Sequence, residues 1–141
     1  MKTRIALITA ITVMAIQFTL SGEPVKKFAT EEKRIAFATK NLLTALQSAN
    51  TGLVESSMRL TAQMKMRYPA TDISKCAEIL NDLAQNHPSG VTRYKAYIAL
   101  SICENPDWYA NETTLATADE ENFFQIASNH MQEYLLSANS N

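Results

Sequence analysis

The sequence predicts an all-α protein of five helices, arranged as two antiparallel helical hairpins with a C-terminal capping helix. Three observations predict it. From residue 28 onward apolar side chains recur every three or four positions, the spacing of one helix face. No stretch shows the sustained apolar–polar alternation of a half-buried strand. The periodic stretches are divided by Asn50-Thr51-Gly52, Pro69 and His87-Pro88-Ser89-Gly90, residue types that end helices and open turns.

The first helix is expected over residues 30–49. Thr30 can cap it, Glu31 and Glu32 complement the dipole of its first turn, and Ile35, Ala38, Leu42, Leu43 and Leu46 share one face. The second spans 53–67, with Leu53, Ser57, Leu60 and Met64 in line, flanked by Val54 and Met58, until Pro69 stops it. The third starts at Thr71 or Asp72, turns Ile73, Cys76, Leu80 and Leu83 inward, and ends at His87-Pro88. The fourth covers 91–104, with Tyr94, Tyr97, Ile98, Ile102 and Cys103 as buried candidates. Residues 105–116 read as a loop anchored by Trp108 and Tyr109. Thr117 followed by Glu120 reads as a capping box opening a fifth helix over 118–137, which presents Phe123, Phe124, Ala127, Met131, Tyr134 and Leu135. Short connections make consecutive helices antiparallel neighbours, so the first pairs with the second and the third with the fourth.

The N-terminus reads as an address. Lys2 and Arg4 precede an apolar run of 16 residues, 5–20, and Ser21-Gly22 supply small residues for cleavage. That run is shorter than the ~20 residues a spanning helix needs. Residues 1–22 are thus expected to be a signal peptide, with an uncleaved anchor as the alternative. Residues 23–141 then form one helical domain, exported to a periplasm or secreted, with no membrane span after signal removal. The chain's formal net charge is −1; without the signal, 11 Lys+Arg stand against 14 Asp+Glu, a net of −3. Residues 24–95 carry 11 basic and 6 acidic side chains, whereas residues 96–141 carry seven acids and no Lys or Arg. Either the two ends partly neutralise each other, or one charged face steers a partner.

Gly52 and Gly90 open the second helix of each pair 38 residues apart, and at that offset Leu53 matches Val91, Leu60 matches Ile98 and Met64 matches Ile102. Periods of this size belong to helix-pair solenoids. The string Asn41-Leu42-Leu43, Ala45-Leu46, Ser48, Asn50, Gly52-Leu53, Ser56-Ser57 resembles the turn between paired helices in small HEAT-like repeat proteins exported by bacteria, over residues 31–104. The resemblance implies a non-catalytic helical surface that binds other proteins, and it brings no catalytic residues with it. The helices either stack openly or close into a bundle.

Cys76 and Cys103 are the only thiols. Their midpoint, 89.5, falls in the Pro88-Ser89-Gly90 turn, so an antiparallel hairpin sets them at one height. In an oxidising compartment a disulfide is expected, its 26 intervening residues worth about 3–4 kcal/mol by loop entropy; two buried free thiols are the alternative. A redox-catalytic pair is disfavoured, since such cysteines are typically close in sequence.

Other chemistries find little. His87 and His130 stand apart with no metal-ligand spacing, and Met64 and Met66 project about 200° apart on a helix, so no metal or other cofactor is expected. There is no nucleophile elbow, phosphate loop or nucleotide fingerprint. Asp119-Glu120-Glu121 sit where first-turn acids stabilise a helix. Lys26-Lys27 with Lys33 and Arg34 are interrupted by Glu31 and Glu32, too sparse for nucleic acid. The expectation is therefore a non-enzymatic interaction module for an unidentified protein partner. Trp108 and Tyr109 are the candidate contact residues, with Arg59, Lys65 and Arg67 as a candidate basic patch on the second helix. A small-ligand carrier with an apolar pocket between its helices is the alternative.

Overall fold

A computed structural model of the chain describes residues 30–139. The expected signal peptide lies outside them. The described residues form five α-helices, α1 (Glu31–Leu46), α2 (Thr51–Arg67), α3 (Ser74–Asn86), α4 (Gly90–Glu104) and α5 (Glu120–Ala138), with 3-10 turns at Pro106–Tyr109 and Thr113–Ala116 before α5. Among the described residues there is no strand.

Local chemistry sets the boundaries. α1 stops three residues early because its last turn tightens: Gln47 and Ser48 N–H groups bond to the carbonyls of Thr44 and Ala45, three residues back. Asn50 then caps α2, its side chain accepting from Leu53 N–H, and Ser89 caps α4 by accepting from Thr92 N–H. Asp72 does not cap α3 directly; it accepts from Ser74 N–H two residues on, and the helix starts at that residue. At the start of α5 the cap is Asp119, which accepts from Asn122 N–H, and Glu120 instead accepts from Ser56 Oγ at 2.6 Å. The expected loop condenses into the two 3-10 turns, the first opened by Pro106, whose missing N–H costs nothing there.

The closest helix packing is α3 against α4, followed by α2 against α4. α1 meets α2 through side chains: Thr39 Oγ1 lies 3.9 Å from Met64 Sδ, and Arg34 Nη2 donates to Tyr68 OH at 3.4 Å. These contacts, Arg34 with Tyr68 and Thr39 with Met64, run in antiparallel register. α2 and α4 bring their N-terminal turns together, where Glu55 of α2 accepts from Thr92 and Lys95 of α4, the arrangement of a parallel pair.

The core holds Leu46, Met58, Leu80, Ile98, Ile102, Leu115 and Phe123 at almost no exposure. On α2 the buried face is Val54, Ser57, Met58, Thr61 and Ala62, and the expected members Leu53 and Leu60 are 48% and 44% exposed. Backbone chemistry makes the difference. Ser57 and Thr61 each donate their hydroxyl to the carbonyl four residues back, at 2.7 Å, and can be buried without an unmet polar atom. Small side chains on that seam, with Ala96 and Ala99 on α4, let the helices approach closely. On α4 the expected Ile98, Ile102 and Cys103 are buried, but Tyr94 and Tyr97 are 46% and 53% exposed. On α5 Phe123, Phe124 and Ala127 are buried as expected, Met131 is half-buried, and Tyr134 and Leu135 are exposed.

Candidate functional site

The two 3-10 turns bring α4 and α5 to one aromatic site. Tyr109, expected as a contact residue in a loop, is fully buried. Its hydroxyl is 2.5 Å from Ser101 Oγ. Ser101 spends its own proton on the Ile98 carbonyl, so the tyrosine is the donor. Burial raises the phenol's pKa, and nearby Tyr97 raises it further. Tyr109 is therefore the internal anchor of this segment, and Trp108 remains the residue able to meet a partner. Trp108 is half-buried, its ring stacked on exposed Tyr134 at 4.9 Å and 21°.

His130, one helical turn before Tyr134, ties the segment to α5. Its Nε2 is 2.7 Å from the Trp108 carbonyl, which can only accept, so Nε2 carries the proton. Its ring lies tilted 5.6 Å from that of Tyr109, and Nδ1 faces Glu112 Oε2 at 3.8 Å. The side-chain and backbone bonds from Thr114, and then His130, hold the Glu112 carboxyl below its ordinary pKa.

Arg59, Lys65 and Arg67 do not come together as a basic patch. Helical rotation spreads them, and each is engaged locally. Arg59 Nη1 donates to Gln63 Oε1 at 3.0 Å, and its Nε is buried without a hydrogen-bond partner. Lys65 Nζ donates to the Pro69 and Thr71 carbonyls, and Arg67 lies over the Tyr68 ring. His87 acts locally in the α3–α4 turn, where its Nδ1 accepts from Ser89 N–H.

Cys76 and Cys103 are free buried thiols in this structure. Burial raises both pKa values, that of Cys103 to about 12, with the Cys76 charge adding to it. An un-ionised thiol is a poor nucleophile. Among the described residues no group of three or more His, Cys, Asp or Glu is placed to hold a metal ion, and no helix is long and apolar enough to cross a membrane.

Two grooves flank α1. One, of 820 Å³, includes Ile35 and Ala38 of α1, Leu60 and Met64 of α2, and Asp107 and Glu112 of the 3-10 segment. The other, of 900 Å³, runs between α1 and the α2–α3 connection and includes Leu43, Tyr68 and Ile73. Exposed Leu60 thus borders a groove instead of joining the core.

The site residues missed in the sequence are His130, Tyr134 and Tyr97 acting from the surface. The spacing of His130 and Tyr134, four apart on one helix face, was a signal for two of them. No protein-family model, curated protein or solved structure matches the chain.

Proposed function

We propose that the protein is an exported, non-catalytic helical module that binds a protein partner through the surface around Trp108. One observation carries this reading: half-buried Trp108 stacks on exposed Tyr134, next in the chain to a buried, hydrogen-bonded Tyr109 that has exposed Tyr97 nearby, so aromatic area is left at the surface on a rigid support. Aromatic side chains held this way are typical binding hot spots, because little conformational freedom is lost when a partner covers them. The N-terminal turns of α2 and α4, side by side at Glu55, Thr92 and Lys95, support the HEAT-like reading. Export is the setting proposed from the N-terminal 22 residues, and there the neighbouring Cys76 and Cys103 close into a disulfide.

Site-specific photo-cross-linking in intact cells tests the partner. A cross-linker at Tyr97 is expected to give one discrete product, lost in Trp108→Ala/Tyr134→Ala. The same product from a cross-linker at Glu78, on an exposed part of α3, or no product from either site, would overturn the reading.

The two grooves beside α1 favour a second reading, a small-ligand carrier. Volumes of 820 and 900 Å³ lie within the ~300–1,000 Å³ usual for ligand sites. Native mass spectrometry of gently purified protein tests it, and a mass equal to the bare chain rules it out.

A further inference from the structure

We infer that α1 is a hinged strap, held at its C-terminal end by Leu46 and opening along residues 31–43 to join the two grooves beside it into one apolar cleft. This motion does not depend on the partner surface at Trp108.

Burial shows where α1 is held. Of its 16 residues Leu46 alone is buried, whereas α2 buries five and α4 eight. Ile35, Ala38, Leu42 and Leu43, the face expected from the sequence to pack inward, are half-buried, and Phe37 is exposed. Among the described residues no other element lies closely along α1. The cause is the choice of seam on α2. Its buried face, with the small side chains Ser57, Thr61 and Ala62, went to α4, and α1 is left beside the bulkier Leu60 and Met64.

Two polar contacts reach across to α2, and both are long. Arg34 Nη2 lies 3.4 Å from Tyr68 OH, and Thr39 Oγ1, which donates to the Ile35 carbonyl of its own helix at 2.9 Å, is 3.9 Å from Met64 Sδ. The C-terminal end is different. Leu46 is 1% exposed, Gln47 and Ser48 N–H close the tightened turn, and Asn50 N–H donates to Ser48 Oγ while its side chain caps α2. The turn at 47–49 is thus the hinge, with a fixed residue on each side of it. Ile35 is the one α1 residue that borders both grooves, which share Arg67, Tyr68 and Pro69. Lifting Ile35 therefore removes the partition between them. A helix of 16 residues without its support is marginal in water, so opening also releases its backbone hydrogen bonds. Segments with few buried apolar side chains open at well under the free energy of global unfolding.

Hydrogen exchange of the protein, kept reduced, reads this opening. Amides of residues 35–43 are expected to be protected at least ~100-fold less than those of residues 96–103. Cys76, 1% exposed and lining the groove that α1 borders with Thr39 and Leu43, supplies a second readout. In native buffer Ile35→Ala/Leu43→Ala is expected to speed maleimide labelling of Cys76 about tenfold, with the labelled thiol located by peptide mass. The labelling of Cys103 and the urea midpoint read by Trp108 emission are expected to stay unchanged. Equal protection in α1 and α4, or a variant that leaves Cys76 labelling as it was, overturns the strap. So does a variant that speeds both thiols together and lowers the urea midpoint, since α1 then unfolds only with the rest of the domain.

Discussion

Replacing Tyr109 separates an internal anchor from a contact residue. Tyr109→Phe removes one O–H donor and keeps the ring. Ser101 Oγ then still donates to the Ile98 carbonyl but loses its incoming bond at a buried site, at a cost of about 1–2 kcal/mol. Tyr109→Ala also empties a fully buried ring site between α4 and α5, where deleting an aromatic side chain costs about 3–5 kcal/mol. Domains of this size hold about 5–15 kcal/mol in all, so the alanine variant should be close to unfolding at 37 °C. Urea unfolding followed by far-ultraviolet circular dichroism and by Trp108 emission measures both variants. The two probes should give one transition, because the Trp108 segment is tied to the core by Tyr109 and His130. A loss under ~1 kcal/mol in Tyr109→Ala would refute the anchor role and return Tyr109 to the surface.

Three further predictions follow from the same geometry. On α2, Met58→Ala should cost about 2–5 kcal/mol and Leu60→Ala less than ~1 kcal/mol in the same urea assay, because the first is fully buried and the second 44% exposed; equal costs would contradict the seam described. Burial alone would raise the pKa of Glu55, but the bonds from Lys95 and Thr92 and the Lys95 charge outweigh it and hold the value below the ordinary 4.5. The stability Glu55 contributes is therefore present above pH ~4.5 and lost as the pH falls through its lowered value, so Glu55→Gln should flatten the acid limb of a stability–pH curve; an unchanged limb counts against the pairing. Protein recovered from an oxidising compartment should show no reactive thiol in denaturant until reductant is added and two afterwards, whereas two thiols before reduction would sink the Cys76–Cys103 bridge.

Helix positions were legible in the sequence to within a few residues, and the reason is local. Caps such as Asn50 and Ser89 act on N–H groups three residues away, and proline and glycine act on their own backbone. Which face of a helix is buried was less legible. α2 carries two adjoining apolar stripes, Leu53/Leu60 and Val54/Met58, and periodicity alone does not rank them. The choice fell to the stripe with Ser57 and Thr61, whose hydroxyls satisfy themselves on the backbone and leave room for α4. Tyr94 and Tyr97 look like core residues by spacing but are 46% and 53% exposed.

The site divided in the same way. Trp108 and Tyr109 stood out by residue type, yet adjacent positions in a loop carry no periodicity to say which turns inward. Ser101, eight residues earlier on α4, decided it by accepting the Tyr109 hydroxyl. Basic residues gathered on α2 suggested a patch, and the helix scattered them because its pitch sends neighbours in sequence to different faces. By itself, then, the sequence determined an all-helical chain, its punctuation and the charge imbalance between its two parts, all properties of near neighbours or of composition. Only the tertiary structure decided which aromatic rings are core and which are surface, because that depends on the helix lying opposite, and the residues that place that helix are remote in the chain.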